Sequence, residues 1–210
     1  FHSRQADYLS GESGYPLYSN TITEYLSPGE RIFERMLEEL QAAEKYIYME
    51  FFILAEGEMW DAIHKVLSEK ASNGVEVRVI FDDFGSIKRQ HKDFIVNLRA
   101  EGIDVSVFNP IKPSMNIFMN NRNHRKIVVI DGKTAFTGGF NIGDEYINKM
   151  IRFGHWLDSG IMLRGEAVKS FLAMFCCMWE FTTGEQLDIS SHISDFSTAD
   201  DGFVLPYCDG

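Results

Sequence analysis

The chain has 210 residues, 45% of them hydrophobic and 24% charged, enough for one domain or two small ones around a sizeable core. Twenty Lys and Arg against thirty-one Asp and Glu give a net charge of −11, which argues against a general nucleic-acid binder, because such binding rests on cationic contacts to phosphates. Three cysteines exclude a disulfide framework and point to a reducing compartment, and no apolar run reaches the ~18 residues of a membrane span.

Residues 1–20 are polar and turn-rich and are expected to be a poorly ordered lead-in. Near Pro28 a helix begins, with Ser27 as its cap, Glu30 three residues on, and Ile32, Phe33, Met36, Leu37 and Leu40 on one face. Tyr46 to Leu54 is an apolar run that reads as a buried strand. Met59 to Ala71 is an amphipathic helix stopped at Asn73-Gly74, and Val75 to Phe81 alternates into a strand ending at Asp82-Asp83. A third helix, Phe94 to Ala100, precedes a strand at Ile103 to Phe108. This alternation predicts an α/β layered domain with a mixed, largely parallel sheet and helices on its faces. The rhythm then changes. Lys126 to Ile130 and Thr134 to Thr137 are strands about Asp131-Gly132-Lys133, a hairpin signal. A strand at Ser159 to Leu163 and an apolar helix from Glu166 to Phe181 follow, the helix reading as a central core element. After Glu180 periodicity is lost until Phe203-Val204-Leu205, where a new strand is expected.

Charge is unevenly spread. Ten carboxylates face three bases between Glu24 and Asp61, and seven face none from Glu180 onward. From Lys112 to Lys133 the balance reverses, with Lys112, Arg122, Arg125, Lys126 and Lys133 against Asp131 alone. A basic stretch in an acidic chain suits one small anion, although a solvated loop has the same composition.

Within that stretch lies the constellation that carries chemistry. His124 and Lys126 are two apart and share a face of a strand, which sets a nucleophile beside a fixed cation, as attack on a phosphodiester requires. Asp131 sits at an odd offset and starts the hairpin, so it reads mainly as a turn and orienting residue, with direct chemistry the alternative. Gly138 and Gly139 leave room for a phosphate to approach the backbone, and Asn141 offers amide donors. Asp82-Asp83 could bind a metal but lacks a third ligand at useful spacing, so turn or substrate-edge roles are favoured. Cys176 and Cys177, in an apolar helix, read as small hydrophobes.

The pattern H-x-K-x4-D-x6-G-G-x-N resembles the signature of the phospholipase D superfamily. Around it, Glu50-Phe-Phe-Ile, Gly57-Glu-Met-Trp, Asn120-Asn-Arg-Asn-His-Arg-Lys and Phe153-Gly-His-Trp are similar to the bacterial cardiolipin synthases, over most of residues 18–182. The resemblance implies a phospholipase D-like α/β/α sandwich in which His124 forms a phosphohistidine while Lys126 and Asn141 hold the phosphate. It also implies an acidic residue that orients the histidine. Asp158 is the candidate, and opening the next strand is its other reading. The implied reaction is phosphatidyl transfer between two phosphatidylglycerol molecules, releasing glycerol, with no metal or organic cofactor and no nucleic-acid partner.

One departure matters. These synthases carry two such motifs, yet His2, His64, His91, His155 and His192 all lack the H-x-K spacing. The expected organisation is therefore a lead-in at 1–20, a catalytic half-domain at 21–182, and at 183–210 a linker and the start of a second half-domain. Residue 1 is Phe and no signal peptide is visible, so a soluble piece of a longer bacterial membrane enzyme is expected, inactive alone and able to pair as a homodimer. The alternatives are a phospholipase or nuclease that uses water as acceptor, or a non-catalytic phospholipid or anion-binding module.

Overall fold

The computed structural model describes residues 2–111, 121–152, 154–198 and 202–208. Lys112, Asn120 and Phe153, used in the readings above, lie outside the described residues.

In chain order the elements are α1 (His2–Ser13), β1 (Thr21–Leu26), α2 (Gly29–Gln41), β2 (Tyr46–Phe51), α3 (Glu58–Ser72), β3 (Glu76–Asp82), α4 (Asp83–Ser86) and α5 (Phe94–Ala100). Then follow β4 (Ile103–Phe108), β5 (Ile127–Ile130), β6 (Thr134–Gly138), a 3-10 turn at Asp144–Ile147, β7 (Gly160–Gly165), α6 (Val168–Thr183) and α7 (Ile189–His192). Seven strands form one sheet in the order β1-β7-β6-β5-β2-β3-β4.

The sheet is mixed as expected, but its parallel part is confined to β2-β3-β4, and the other four pairings are antiparallel. The cause is local. Asp131 (φ 53°) and Gly132 (φ 65°) both adopt the left-handed conformation that a tight two-residue turn needs, and Lys133 N–H closes it onto Ile130 O at 3.0 Å. The chain is thereby sent back antiparallel where the α/β alternation would have continued a parallel sheet.

Strand β2 is buried along its whole length, with its two sides in different cores. Ile47, Met49 and Phe51 pack with Ile32, Met36 and Leu40 of α2, Trp60, Ile63 and Leu67 of α3, and Leu98 of α5. Tyr46 and Tyr48 pack on the other face with Leu172, Phe175 and Trp179 of α6. Helices therefore cover both faces, α2, α3 and α5 on one side and α6 with the short α7 on the other. Tyr48 stacks on Phe175 at 4.7 Å.

Several expectations need amendment. The presumed irregular lead-in contains helix α1. Ser27 does not cap α2: its hydroxyl donates to Asp158 O at 2.8 Å, and the helix has no side-chain cap bond. Strand β1, which carries no strict alternation, was not expected; it is held at the sheet edge by β7. At the expected strand near residue 204 only Val204 pairs, antiparallel with Tyr18. Asn73-Gly74 ends α3 as read, with Gly74 at φ 86°.

Candidate active site

Strand β5 runs antiparallel to β2, so the segment entering β5 lies beside the carboxyl end of β2, and β3, parallel to β2, brings Asp82 to the same edge. There the first ladder pair is Glu50 with Ile127, and residues 121–126 extend beyond it. Side-chain alternation divides this segment between the two faces. Asn123 and Arg125 turn to the α6 face and meet Glu50; His124 and Lys126 turn to the other.

His124 is exposed and its ring lies 4.9 Å from that of Phe52, while Lys126 is only 3% exposed. The Lys126 ammonium donates to His124 O at 2.7 Å and stands 5.6 Å above the Phe52 ring. Among the described residues no carboxylate lies within 4.0 Å of it. Burial pushes its pKa down to about 8, against the more distant attraction of Asp158. Burial, then the neighbouring Lys126 charge, also holds His124 below its ordinary value, with Asp82 opposing. The histidine is therefore mainly neutral at pH 7, and the lysine still mainly charged. A neutral imidazole beside an unpaired buried cation can attack, and hold, a phosphate.

Two buried carboxylates shape the approach. Asp82 accepts the N–H groups of Phe84 (2.8 Å) and Gly85 (3.3 Å) at the start of α4, and that of Asn123 (3.1 Å), and Arg122 reaches it at 3.3 Å. Asp83 accepts Ile111 N–H at 2.6 Å. Both serve turns, and among the described residues no group of three or more His, Cys, Asp or Glu is placed to hold a metal. Glu50, fully buried, accepts Asn123 Nδ2 at 2.8 Å and Arg125 Nε at 2.7 Å on one oxygen. Burial raises its carboxyl pKa, against Arg125 and Asn123. The sequence reading passed over Glu50 as a functional residue. It carried a signal: it is the one acid in the apolar run from Tyr46 to Leu54, and a buried charge must find partners.

The remaining candidates divide. Asn141 is buried at this edge, where its carbonyl accepts Ile53 N–H at 3.0 Å and its amide donates to Tyr146 Oη at 3.2 Å. Asp158 is also here, accepting Ser159 N–H (2.9 Å) and Trp156 Nε1–H (3.1 Å), and it acts electrostatically on Lys126. The glycines leave room for protein. A Cβ on Gly138 would stand 2.5 Å from Ser159 O, and one on Gly139 2.7 Å from an Asp158 carboxylate oxygen. Asp131 is at the far end of β5. Its carboxylate accepts the N–H groups of Glu44 (2.9 Å), Lys45 (2.7 Å) and Tyr46 (3.0 Å), which fastens the start of β2 to the hairpin.

Comparison with known proteins adds the relationship. A family model described as the PLD-like domain of cardiolipin synthase matches residues 36–171. An uncharacterized protein of Streptococcus mutans is 43% identical over 206 residues, covering 97% of this chain and 44% of its own length. A cardiolipin synthase of Geobacillus kaustophilus is 40% identical over 181 residues, covering 86% of this chain and 36% of its own length. The chain thus spans less than half of these curated relatives. In fold it is similar to Nuc of Salmonella typhimurium, a phospholipase D family member, with a TM-score of 0.61 at 18% identity over 80% of this chain and 99% of that one.

Proposed function

This chain belongs to the cardiolipin synthase PLD-like domain family, and from that premise we propose that it supplies one catalytic half of a phosphatidyltransferase. The reading assigns residues 21–182 to the half-domain and 183–210 to a linker toward the second half. A His124 nitrogen attacks the phosphorus of phosphatidylglycerol, the N–P bond forms, and the P–O bond to the head-group glycerol breaks. The leaving glycerolate takes a proton from an acid on the opposite side. A hydroxyl of a second phosphatidylglycerol then attacks the phosphohistidine, the N–P bond breaks, and that hydroxyl's proton returns to the same group. Lys126 neutralises the phosphate throughout, and the second Nδ2 hydrogen of Asn141 is the amide donor left for it.

The observation that carries this reading is the buried lysine, which among the described residues has no carboxylate within 4.0 Å and only the more distant attraction of Asp158, a cation placed to meet an anion from outside. One histidine cannot serve both sides of an in-line displacement, so the proton donor comes from a second motif, in the rest of such a protein or a second copy. A membrane-bound lipid substrate fits the family, and a net charge of −11 disfavours nucleic acid.

The test is a phosphohistidine trap with phosphatidylglycerol in the full-length protein. Wild type should accumulate an acid-labile phosphoenzyme, His124→Ala none, and Lys126→Ala should react ~10²–10³-fold more slowly. Phosphate binding without a phosphoenzyme would favour a non-catalytic binding module, and release of free phosphatidate a phospholipase.

A further inference from the structure

Glu50 has no part in the chemistry just described, yet among the described residues its side-chain hydrogen bonds both go to the segment that presents His124. The β2–β5 ladder ends at the Glu50–Ile127 pair, so backbone pairing with β2 does not extend over residues 121–126. Beyond that point the Glu50 side chain reaches forward and holds Asn123 and Arg125, the residues on either side of the histidine, through a single oxygen. Asn123 Oδ1 accepts Arg125 N–H at 3.2 Å, which closes the arrangement into a ring around position 124, and Asp82 secures Asn123 N–H from β3. The second Glu50 oxygen is buried without a partner. An apolar residue would fill this place among Tyr48, Ile80 and Ile127 with a smaller desolvation penalty, so stability alone does not call for a carboxylate here.

We propose that Glu50 is the positioning residue of His124, acting from the opposite face of the sheet by fastening its two neighbours. With 123 and 125 held on the α6 face, alternation leaves position 124 only the face that carries Lys126. The inference rests on His124 being the nucleophile, but the orientation it describes can be measured independently of turnover.

The experiment compares Glu50→Leu, which removes the acceptor at similar volume, with Glu50→Gln, which keeps the oxygen that both donors use. Imidazole NMR signals of His124 are recorded in this chain, and phosphohistidine formation in the full-length protein. Glu50→Leu should broaden or split the His124 ring signals and slow phosphoenzyme formation ~10²-fold, the usual consequence of a misplaced reacting group. Inorganic phosphate affinity should stay within about threefold, since Lys126 is untouched. Glu50→Gln should keep a single set of ring signals and react within ~tenfold of wild type. Should Glu50→Leu fail to fold, Arg125→Met cuts one tie from the solvent side and is expected to act in the same direction. Wild-type ring signals and rate in a folded Leu or Met variant would overturn the proposal. So would a parallel loss of phosphate affinity, which would mark general damage. If wild type forms no phosphohistidine, the functional reading fails, and the ring signals still decide the positioning role.

Discussion

A lysine buried to 3% exposure with its pKa near 8 gives the site a characteristic pH response. The proposed mechanism uses neutral His124 and charged Lys126, so on that reading kcat/KM should rise as pH climbs through the histidine's depressed value and fall as it passes about 8. A bound phosphate raises the lysine pKa, so the alkaline limb of kcat should lie above that of kcat/KM. A flat profile between pH 7 and 9.5 would contradict the assignment of Lys126. Asp131 should behave differently. Seven residues of extended chain, about 20 Å, separate it from His124. Replacing it by Ala strands three backbone N–H groups and should cost on the order of 3 kcal/mol by denaturant titration, with kcat of the folded fraction unchanged. Gly138→Ala should destabilise by ~1–3 kcal/mol as well, because its Cβ meets the backbone of β7, which cannot swing aside.

Among the elements, α6 is the long helix on its face of the sheet, and its burial decides the behaviour of its side chains. Phe175, fully buried and stacked on Tyr48, should cost ~3–5 kcal/mol when truncated to Ala. Cys176 points into that core and Cys177 out of it. Burial pushes the Cys176 thiol up to about 12, so iodoacetamide applied to the folded chain should label Cys177 and spare Cys176 until denaturant is added. Equal labelling of both in the native state would mean that α6 does not pack as described. The hairpin is the other decisive element. Its turn sets β5 antiparallel to β2 and brings the start of β5 to the edge where β2 and β3 end, which is why His124, Asp82 and Asn141 gather at one place.

At the scale of the molecule, this chain covers 36–44% of the relatives quoted above and carries one H-x-K pair. Assayed alone on phosphatidylglycerol vesicles it should bind phosphate but turn over negligibly, because the glycerolate has no proton donor. Addition of the remaining portion of the full-length protein, expressed separately, should restore product. Full activity of the chain alone would show that two copies share the work in a symmetric dimer.

Much of this was legible along the chain. The α2, α3 and α5 faces follow from apolar spacing, the β5–β6 hairpin from Asp131-Gly132, and the His124–Lys126 pair from two-residue alternation, because each is set by neighbours a few residues away. Other features are invisible at that range. That Gly138 and Gly139 make room for β7 and Asp158, that Asp131 ties down the start of β2, and that Glu50 lies behind the histidine all join residues 19 to 87 positions apart. The direction of the sheet belongs with them, since strand pairing is chosen by the closure of the whole layer and local pattern records only that a strand exists. The sequence by itself determined the candidate reactive residues and most of the elements that bear them. Only the tertiary structure decided which carboxylates serve the fold and which reach the site, because a buried charge takes its role from the partners that packing brings to it.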